Sequence, residues 1–185
     1  MKQLPKSFFA RDTITVAKEL LGKIVSVNGM EARIVEAEAY KQDAASHAFR
    51  KTKRSAIMHE TYGHVYVYLI YGMYHCLNFT SDVRPGAVLI RAAEPLSGVG
   101  KMKKNRGTDI LAHLCSGPGK LCAALGIDRR FNEKEIGGAV KVFDDGFKVS
   151  GIKTSPRIGL REGRHLPWRF FIEGNQFVSR VKENS

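Results

Sequence analysis

The strongest hydrophobic pattern in the chain is a run of aromatic and aliphatic residues over positions 65–74. Tyr66, Tyr68 and Ile70 alternate with Val, Leu and Tyr side chains, and this period of two predicts a strand. Gly72 interrupts the run, and an isolated glycine in an aromatic strand indicates a tight bend or a close backbone approach. We therefore predict a β-hairpin that bends near Gly72.

This hairpin has two possible uses. Four of the six tyrosines lie between Tyr66 and Tyr74, and they could simply fill a core. Aromatic and sulfur side chains gathered at one bend of a basic protein also suit an apolar wedge that enters between stacked bases. The pattern alone leaves both interpretations open.

The rest of the pattern predicts further strands and two helices. A helix is expected from Asp12 or Thr13 to Gly22, and another within residues 114–127. Strands are expected in a hairpin over 23–40 that turns at Asn28-Gly29, over 86–95 and 139–145, and in a closing hairpin over 170–181. Because strands arrive mostly as hairpins, we predict one α+β domain over residues 1–185 with a mixed or antiparallel sheet.

Charged residues inside these strands are the first candidates for chemistry. Glu36 and Glu38 share one face of their strand, because side chains two apart point the same way. They belong either to a site or to the solvent side of an edge strand, and the pattern alone favours solvent. Arg91 ends an otherwise apolar run, and a buried arginine needs an anionic partner. Arg91 is therefore the most informative basic residue.

Composition narrows the class of protein. The 185 residues are 43% hydrophobic and 26% charged, which is typical of one globular core. The formal net charge of +12 favours nucleic acid or an acidic membrane surface as partner. There is no secretory signal and no apolar run of about 18 residues. Three cysteines without a Cys-x-x-Cys pair indicate reduced, buried thiols in a cytoplasm rather than a zinc site.

Basic residues cluster in three places. One cluster follows His47 over residues 50–54, a second spans 101–106 and is expected to be mobile, and a third lies within 155–169. A basic loop is usually only solvated, but it can equally hold phosphates. The start of the helix near Lys120 is either an ordinary capped end or a phosphate site. The candidate phosphate contacts are Arg50, Lys53, Arg54 and Lys120.

Six segments, in this order and spacing, resemble the alkyladenine (3-methyladenine) DNA glycosylase family, and specifically its bacterial members. They are FFARDTITVAKELLGK, RIVEAEAY with a following SH, YVYLIYGMYHCLN, VLIRAAEPL, LCSGPGKLCAALGI and PWRFFIEGN. The resemblance implies a curved antiparallel sheet with a protruding hairpin and flanking helices. It also implies a monomeric enzyme without metal or cofactor that hydrolyses the N-glycosidic bond of damaged purines in double-stranded DNA.

The resemblance also assigns roles to matching positions. Glu38 corresponds to the general base that activates water, and Arg91 to the arginine that helps hold this water. The walls of the base pocket correspond to Tyr40, His47, Tyr68 and Asn78, of which Asn78 disfavours the amino group of guanine. Tyr71 corresponds to the side chain that enters the minor groove, with Met73 beside it.

The chain departs from the family pattern at Ser55, where Asn is usual, and at His59, where an aromatic residue is usual. The loop from Tyr40 to His47 is also short. These changes bear on substrate range. Two alternatives remain: a non-catalytic nucleic-acid-binding module, like the RNA-binding terminal domain of formyltransferases, and a helix-hairpin-helix glycosylase suggested by SGPGKLCAAL.

Overall fold

The computed structural model describes residues 1–81, 85–160, 162–163 and 165–179, and this part of the chain forms one nine-stranded antiparallel sheet. Its main path has the order β1-β7-β2-β3-β6-β5-β4, and β9 joins β3 to β8. The strands are β1 (Lys2–Gln3), β2 (Ile24–Val27), β3 (Met30–Tyr40), β4 (Val65–Ile70), β5 (Tyr74–Thr80), β6 (Ala87–Ser97), β7 (Val140–Asp144), β8 (Ile152–Ser155) and β9 (Arg169–Ile172).

Four α-helices flank the sheet in the described residues, which confirms the predicted α+β fold. They are α1 (Thr13–Leu20), α2 (Ala56–Glu60), α3 (Val99–Arg106) and α4 (Pro118–Leu125), with short 3-10 turns at Lys6–Phe9, His47–Phe49, Leu111–His113 and Arg129–Phe131. The carboxylate of Asp12 caps α1, because it accepts the N–H groups of Ile14 and Thr15. None of these helices is long and apolar enough to cross a bilayer.

The apolar faces of α1 and α4 pack against the sheet to form the main core. Its fully buried side chains include Leu20, Ile34, Ile90 and Leu125. The three cysteines are buried and form no disulfide, as the sequence indicated.

Strand β3 is covered along both edges, and this corrects one expectation. β6 pairs with β3 from Glu31 to Tyr40, while β2 and then β9 occupy the opposite edge. The register between β3 and β6 shifts on both sides of Glu36. β3 is thus not an edge strand, and Glu36 and Glu38 are 0% exposed, so the solvent-facing alternative that the pattern alone favoured is wrong.

The predicted hairpin at Gly72 is present as β4 and β5. Tyr71 and Gly72 have φ values of 54° and 69°, and the N–H of Met73 donates to the carbonyl of Ile70. The tip projects into solvent, with Tyr71 78% and Met73 65% exposed. The base of the hairpin instead packs inward, because Tyr66 is only 2% exposed. The base of the hairpin thus fills part of the core, while its tip is exposed.

Two segments differ from expectation. Residues 101–106 belong to helix α3 and do not form a mobile segment. Gly98 and Gly107, both with left-handed backbone conformation, cap the two ends of this helix. The closing hairpin over 170–181 does not form within the described residues. β9 pairs with β3 and β8 instead, and turns carry the chain to Ser179, whose N–H donates to Glu36.

Candidate active site

A buried carboxylate and a guanidinium meet directly beneath a cavity, which Arg91 lines. Glu38 on β3 lies 3.3 Å from Nη1 of Arg91 on the neighbouring strand β6. The hydroxyl of Tyr40 donates to Oε2 of Glu38, and the backbone N–H of Ile158 donates to Oε1, each at 2.8 Å. Three partners therefore hold the Glu38 carboxylate in one orientation.

The second carboxylate, Glu36, is more fully bonded. Its Oε1 accepts Nε–H of Arg91 at 3.1 Å, Nε–H of Arg169 at 2.6 Å and the hydroxyl of Ser179 at 2.8 Å. Its Oε2 accepts the backbone N–H of Ser179 at 2.7 Å. Arg91 thus bridges Glu36 and Glu38 through different nitrogens of one rigid plane.

Electrostatics keep this bridge charged. Burial alone would lower the pKa of Arg91, but the charges of Glu38 and then Glu36 outweigh burial and raise it. Arg91 is buried and has anionic partners, which confirms the prediction made from its apolar strand. A guanidinium with two carboxylate partners cannot swing away without leaving a buried charge unpaired.

Aromatic side chains form the walls above this floor. The cavity has a volume of about 750 Å³ and is lined by Tyr40, His47, Tyr66, Tyr68, Asn78 and Arg91, among others. The rings of His47 and Tyr68 meet edge to face at 4.9 Å between centroids. A 2.9 Å hydrogen bond joins Nδ1 of His47 to the hydroxyl of Tyr66.

The aromatic side chains of these walls are uncharged near pH 7. Burial, reinforced by the charge of Glu38, raises the pKa of Tyr40 well above its ordinary value of 10.0. Burial likewise raises the pKa of Tyr68. Burial and then the charge of Arg54 lower the pKa of His47 below 6.5. The cavity therefore presents protonated phenols and a neutral imidazole above a charged floor.

Asn78 is 3% exposed and lines the same cavity from β5. Its Nδ2 donates to the carbonyl oxygens of Tyr66 and Cys76 at 3.0 and 3.3 Å. Both amide hydrogens are thereby directed toward the backbone, so the side chain is held rigidly in the wall.

The predicted DNA-contacting residues divide at the rim. Tyr71, Arg54 and Lys120 line the cavity, whereas Met73 lies on the exposed hairpin tip. Lys53 lines a neighbouring groove. Arg50 lines neither the cavity nor this groove, and its guanidinium carbon lies 5.7 Å from the ring centroid of Phe49. Arg54 also packs over the ring of Tyr68 at 5.0 Å.

Comparison with known proteins identifies the chain. The family described as Methylpurine-DNA glycosylase (MPG) matches residues 7–176. The chain belongs to this family. The protein is therefore a DNA glycosylase, a hydrolase of N-glycosyl bonds that acts on DNA. The resemblance seen in the sequence is confirmed, and the non-catalytic alternative is set aside.

Similar proteins cover almost the whole glycosylase chain. One from Rhizobium johnstonii is 48% identical over 178 residues, covering 95% of this chain and 88% of its own. Others from Agrobacterium fabrum and Clostridium novyi are 44% and 42% identical, covering 98% and 97% of this chain and 94% and 100% of their own. All three are provisionally named 3-methyladenine DNA glycosylase. The helix-hairpin-helix alternative also fails, because the described glycosylase chain is built on a single large sheet.

The two departures from the family pattern lie behind the pocket wall. The Ser55 hydroxyl accepts the N–H of Thr52 at 2.9 Å and donates to the carbonyl of Arg50 at 2.8 Å. Neither Ser55 nor His59 lines the cavity. Nε2 of His59 is buried and has no hydrogen-bond partner among the described residues.

Sequence reasoning missed several residues that build this glycosylase site. The alternating pattern predicts Tyr66 only as part of a strand, and the backbone N–H of Ile158 carries no sequence signal. Arg157 and Arg169 were counted within the third basic cluster, but both are buried and paired. Arg161 and Arg164 of that cluster lie outside the described residues. Arg169 had a usable signal, because it adjoins an apolar strand just as Arg91 does.

The two glutamates should differ sharply in their contribution to stability. Glu36→Gln should lower the free energy of unfolding by about 3 kcal/mol or more, because two buried guanidiniums lose a charged partner. Glu38→Gln should lower the free energy of unfolding clearly less, since Arg91 would still be paired with Glu36. Urea titration, followed by the fluorescence of Trp168, measures both variants. Equal losses would contradict this division.

Proposed function

We propose that this glycosylase extrudes an alkylated purine from duplex DNA and hydrolyses its N-glycosidic bond, with Glu38 as general base. The observation that carries the proposal is the buried Glu38–Arg91 pair beneath aromatic walls. A base inside a duplex cannot be reached by such a recessed group, so it must be turned out of the stack.

The position of their hydrogen-bond partners favours Glu38 over Glu36 as the base. A carboxylate offers about four acceptor positions. Glu36 accepts four hydrogen bonds from described residues, three of them on Oε1, and its partners Arg169 and Ser179 do not line the cavity. Glu38 has three partners among the described residues, which leaves one position for a water. Glu38 also lies beside the cavity-lining Tyr40 and Ile158, whereas Glu36 faces Arg169 and Ser179.

The reaction requires mainly a positioned water and a negative charge near the sugar. A purine alkylated at N3 or N7 is cationic, so its glycosidic bond is already weak. The water oxygen bonds to C1′, the departing base keeps the electron pair of the broken bond and becomes neutral, and Glu38 takes the water proton. The same carboxylate stabilises the sugar while it carries positive charge. Arg91 holds Glu38 and the water in place.

The neutral aromatic walls suit a cationic base. Tyr40, His47 and Tyr68 offer ring faces and edges, and a cation over such a face gains about 0.5–2 kcal/mol. Asn78 is held rigidly enough to disfavour the amino group of normal guanine. This set favours 3-methyladenine first, with 7-methylguanine or hypoxanthine as further candidates.

Tyr71 is the proposed wedge. Its exposed ring stands at the hairpin tip, on a backbone held in the left-handed region by the neighbouring glycine turn. Flipping costs a few kcal/mol of lost stacking. An aromatic side chain in the gap recovers about 1–3 kcal/mol per base by stacking. Met73 lies beside it on the same tip.

The net positive charge attracts the phosphates. Arg54 and Lys120 lie at the cavity rim, so they are the better candidates for phosphates near the flipped nucleotide, with Arg50 and Lys53 farther out. The proposed base, arginine and wall residues all come from one chain, so a monomer suffices for this function. We place this function in the bacterial cytoplasm.

A base-release assay tests the function. Duplex oligonucleotides with one 3-methyladenine should yield the free base and an abasic site, detected by chromatography. Glu38→Gln should still bind this DNA but react about 10²–10⁴-fold more slowly, because general base catalysis is lost. Glu60→Gln, which changes an exposed carboxylate, is the control. No release by the wild-type protein would refute the function, and near-normal turnover by Glu38→Gln would move the base elsewhere.

The wedge has its own test. Tyr71→Ala should slow release from duplex DNA on the order of 10- to 100-fold, the equivalent of one stacking interaction. Tyr71→Phe should keep most of the rate, and Tyr62→Ala, another exposed tyrosine, serves as control. Single-turnover kinetics on duplex substrate provide the measurement. A rate for Tyr71→Ala that matches wild type would remove Tyr71 from the flipping step.

Salt dependence tests the phosphate contacts. The binding constant for duplex DNA should fall steeply with salt, with a log–log slope of about −0.9 per phosphate contacted. Lys120→Gln should reduce that slope by about one. Lys153→Gln, which lines neither the cavity nor the groove, should leave it unchanged. Fluorescence anisotropy measures the slope, and an affinity that is flat with salt would contradict the assignment.

A further inference from the structure

Arg157 is a buried charge that lies next to the cavity without lining it. Its side chain is fully buried, and it forms a two-point ion pair with Asp43 at 2.7 and 3.1 Å. Its Nη1 also donates to the carbonyl of Ala39 at 3.2 Å. Its guanidinium carbon lies 4.7 Å from the ring centroid of Tyr40 and 5.2 Å from that of Trp168.

These contacts join three separate parts of the proposed site. Tyr40, which donates to Glu38, lies against the Arg157 guanidinium. Ile158, whose N–H also donates to Glu38, is the next residue in the chain. Asp43 organises the loop that leads to His47, because it accepts the N–H of Ala45 with its carboxylate and that of Ser46 with its carbonyl.

We propose that Arg157 is a positioning residue of the reaction: through Asp43, Tyr40 and Ile158 it holds both neutral donors of Glu38 and the His47 loop in register. This inference rests on the proposed function of Glu38. Arg157 itself touches neither the base nor the sugar, since it acts through the residues around it.

The geometry requires arginine rather than any cation. Only the planar guanidinium can pair with both oxygens of Asp43 and also present its faces to aromatic rings. The chain leaves room for this plane at Gly163, where a Cβ atom would lie 2.8 Å from Nη2 of Arg157. A buried ion pair adds little net stability compared with apolar packing. The more direct consequence of this pair is therefore what it holds in place.

The chain contains a matched control. Arg33 forms the same kind of two-point pair with Asp145, at 2.8 and 3.0 Å, and lies over the ring of Phe147 at 4.1 Å. Arg33 is also buried, and it too donates to a backbone carbonyl, that of Gly22. None of these control residues lines the cavity. Arg33→Lys therefore removes a comparable clamp without touching the site.

The expected result is a loss of rate specific to Arg157. Arg157→Lys should slow single-turnover base release about 10- to 100-fold, because small misplacements of reacting groups have effects of this size. The half-saturating DNA concentration should change little, and Arg33→Lys should keep the wild-type rate. Asp43→Asn should lose rate similarly, and the double variant should lose no more than the worse single one, because the pair acts as a unit.

A second readout does not depend on activity. Trp168 is the single tryptophan of the chain, and Arg157 lies over its ring. Arg157→Lys should make Trp168 fluorescence more accessible to acrylamide, whereas Arg33→Lys should not. If Arg157→Lys does not fold, Asp43→Asn breaks the same pair from the loop side and takes both measurements.

The outcomes separate the two proposals. Wild-type protein that releases no base overturns the proposed function, and the positioning role falls with it. Active wild-type protein with an Arg157→Lys rate near normal, or with an equal loss in Arg33→Lys, overturns the positioning role alone. Unchanged Trp168 quenching in Arg157→Lys overturns the clamp itself.

Discussion

The structure depends on one guanidinium between two carboxylates. Glu36 and Glu38 point to the same side of β3, and neighbouring strands cover both edges of β3. Two buried negative charges are tolerable only with positive partners. Arg91 from β6 contacts both carboxylates, and Arg169 from β9 contacts Glu36, so two cations balance two anions. The pairing of these three strands therefore sets the sheet and the floor of the cavity together.

The two carboxylates divide their tasks through their surroundings. Glu36 is bonded to Arg169 and to Ser179, which join β9 and the end of the described chain to β3. Glu38 is bonded to Tyr40 and Ile158, which belong to the cavity wall. One glutamate thus ties distant segments of the fold together, while the other, two residues away, is held by residues that line the cavity. Arg91 couples the two tasks, because moving it would disturb both.

Local sequence predicted the elements but not how distant segments meet. The hairpin at Gly72, the cap at Asp12 and the need of Arg91 for an anion follow from neighbouring residues. The burial of Glu36 and Glu38 cannot be predicted from neighbouring residues, because it depends on β9, which lies more than 120 positions later in the chain and pairs with β3. The same holds for Arg157, whose chain neighbours look like a solvated basic loop. The family resemblance indicated Glu38 as the base, but it supplied neither Glu36 nor Arg157 as a partner of the site.

The distribution of charge in the cavity gives the proposed chemistry its selectivity. The aromatic wall residues stay uncharged, because burial raises the pKa values of Tyr40 and Tyr68 and lowers that of His47, and the Glu38 carboxylate lies beneath them. A cationic alkylated purine gains from the ring faces and leaves as a neutral molecule, so its departure requires no added proton. A neutral purine such as hypoxanthine lacks both advantages and needs protonation before it departs. In the proposed mechanism, this arrangement therefore favours release of a cationic lesion over release of a neutral normal base.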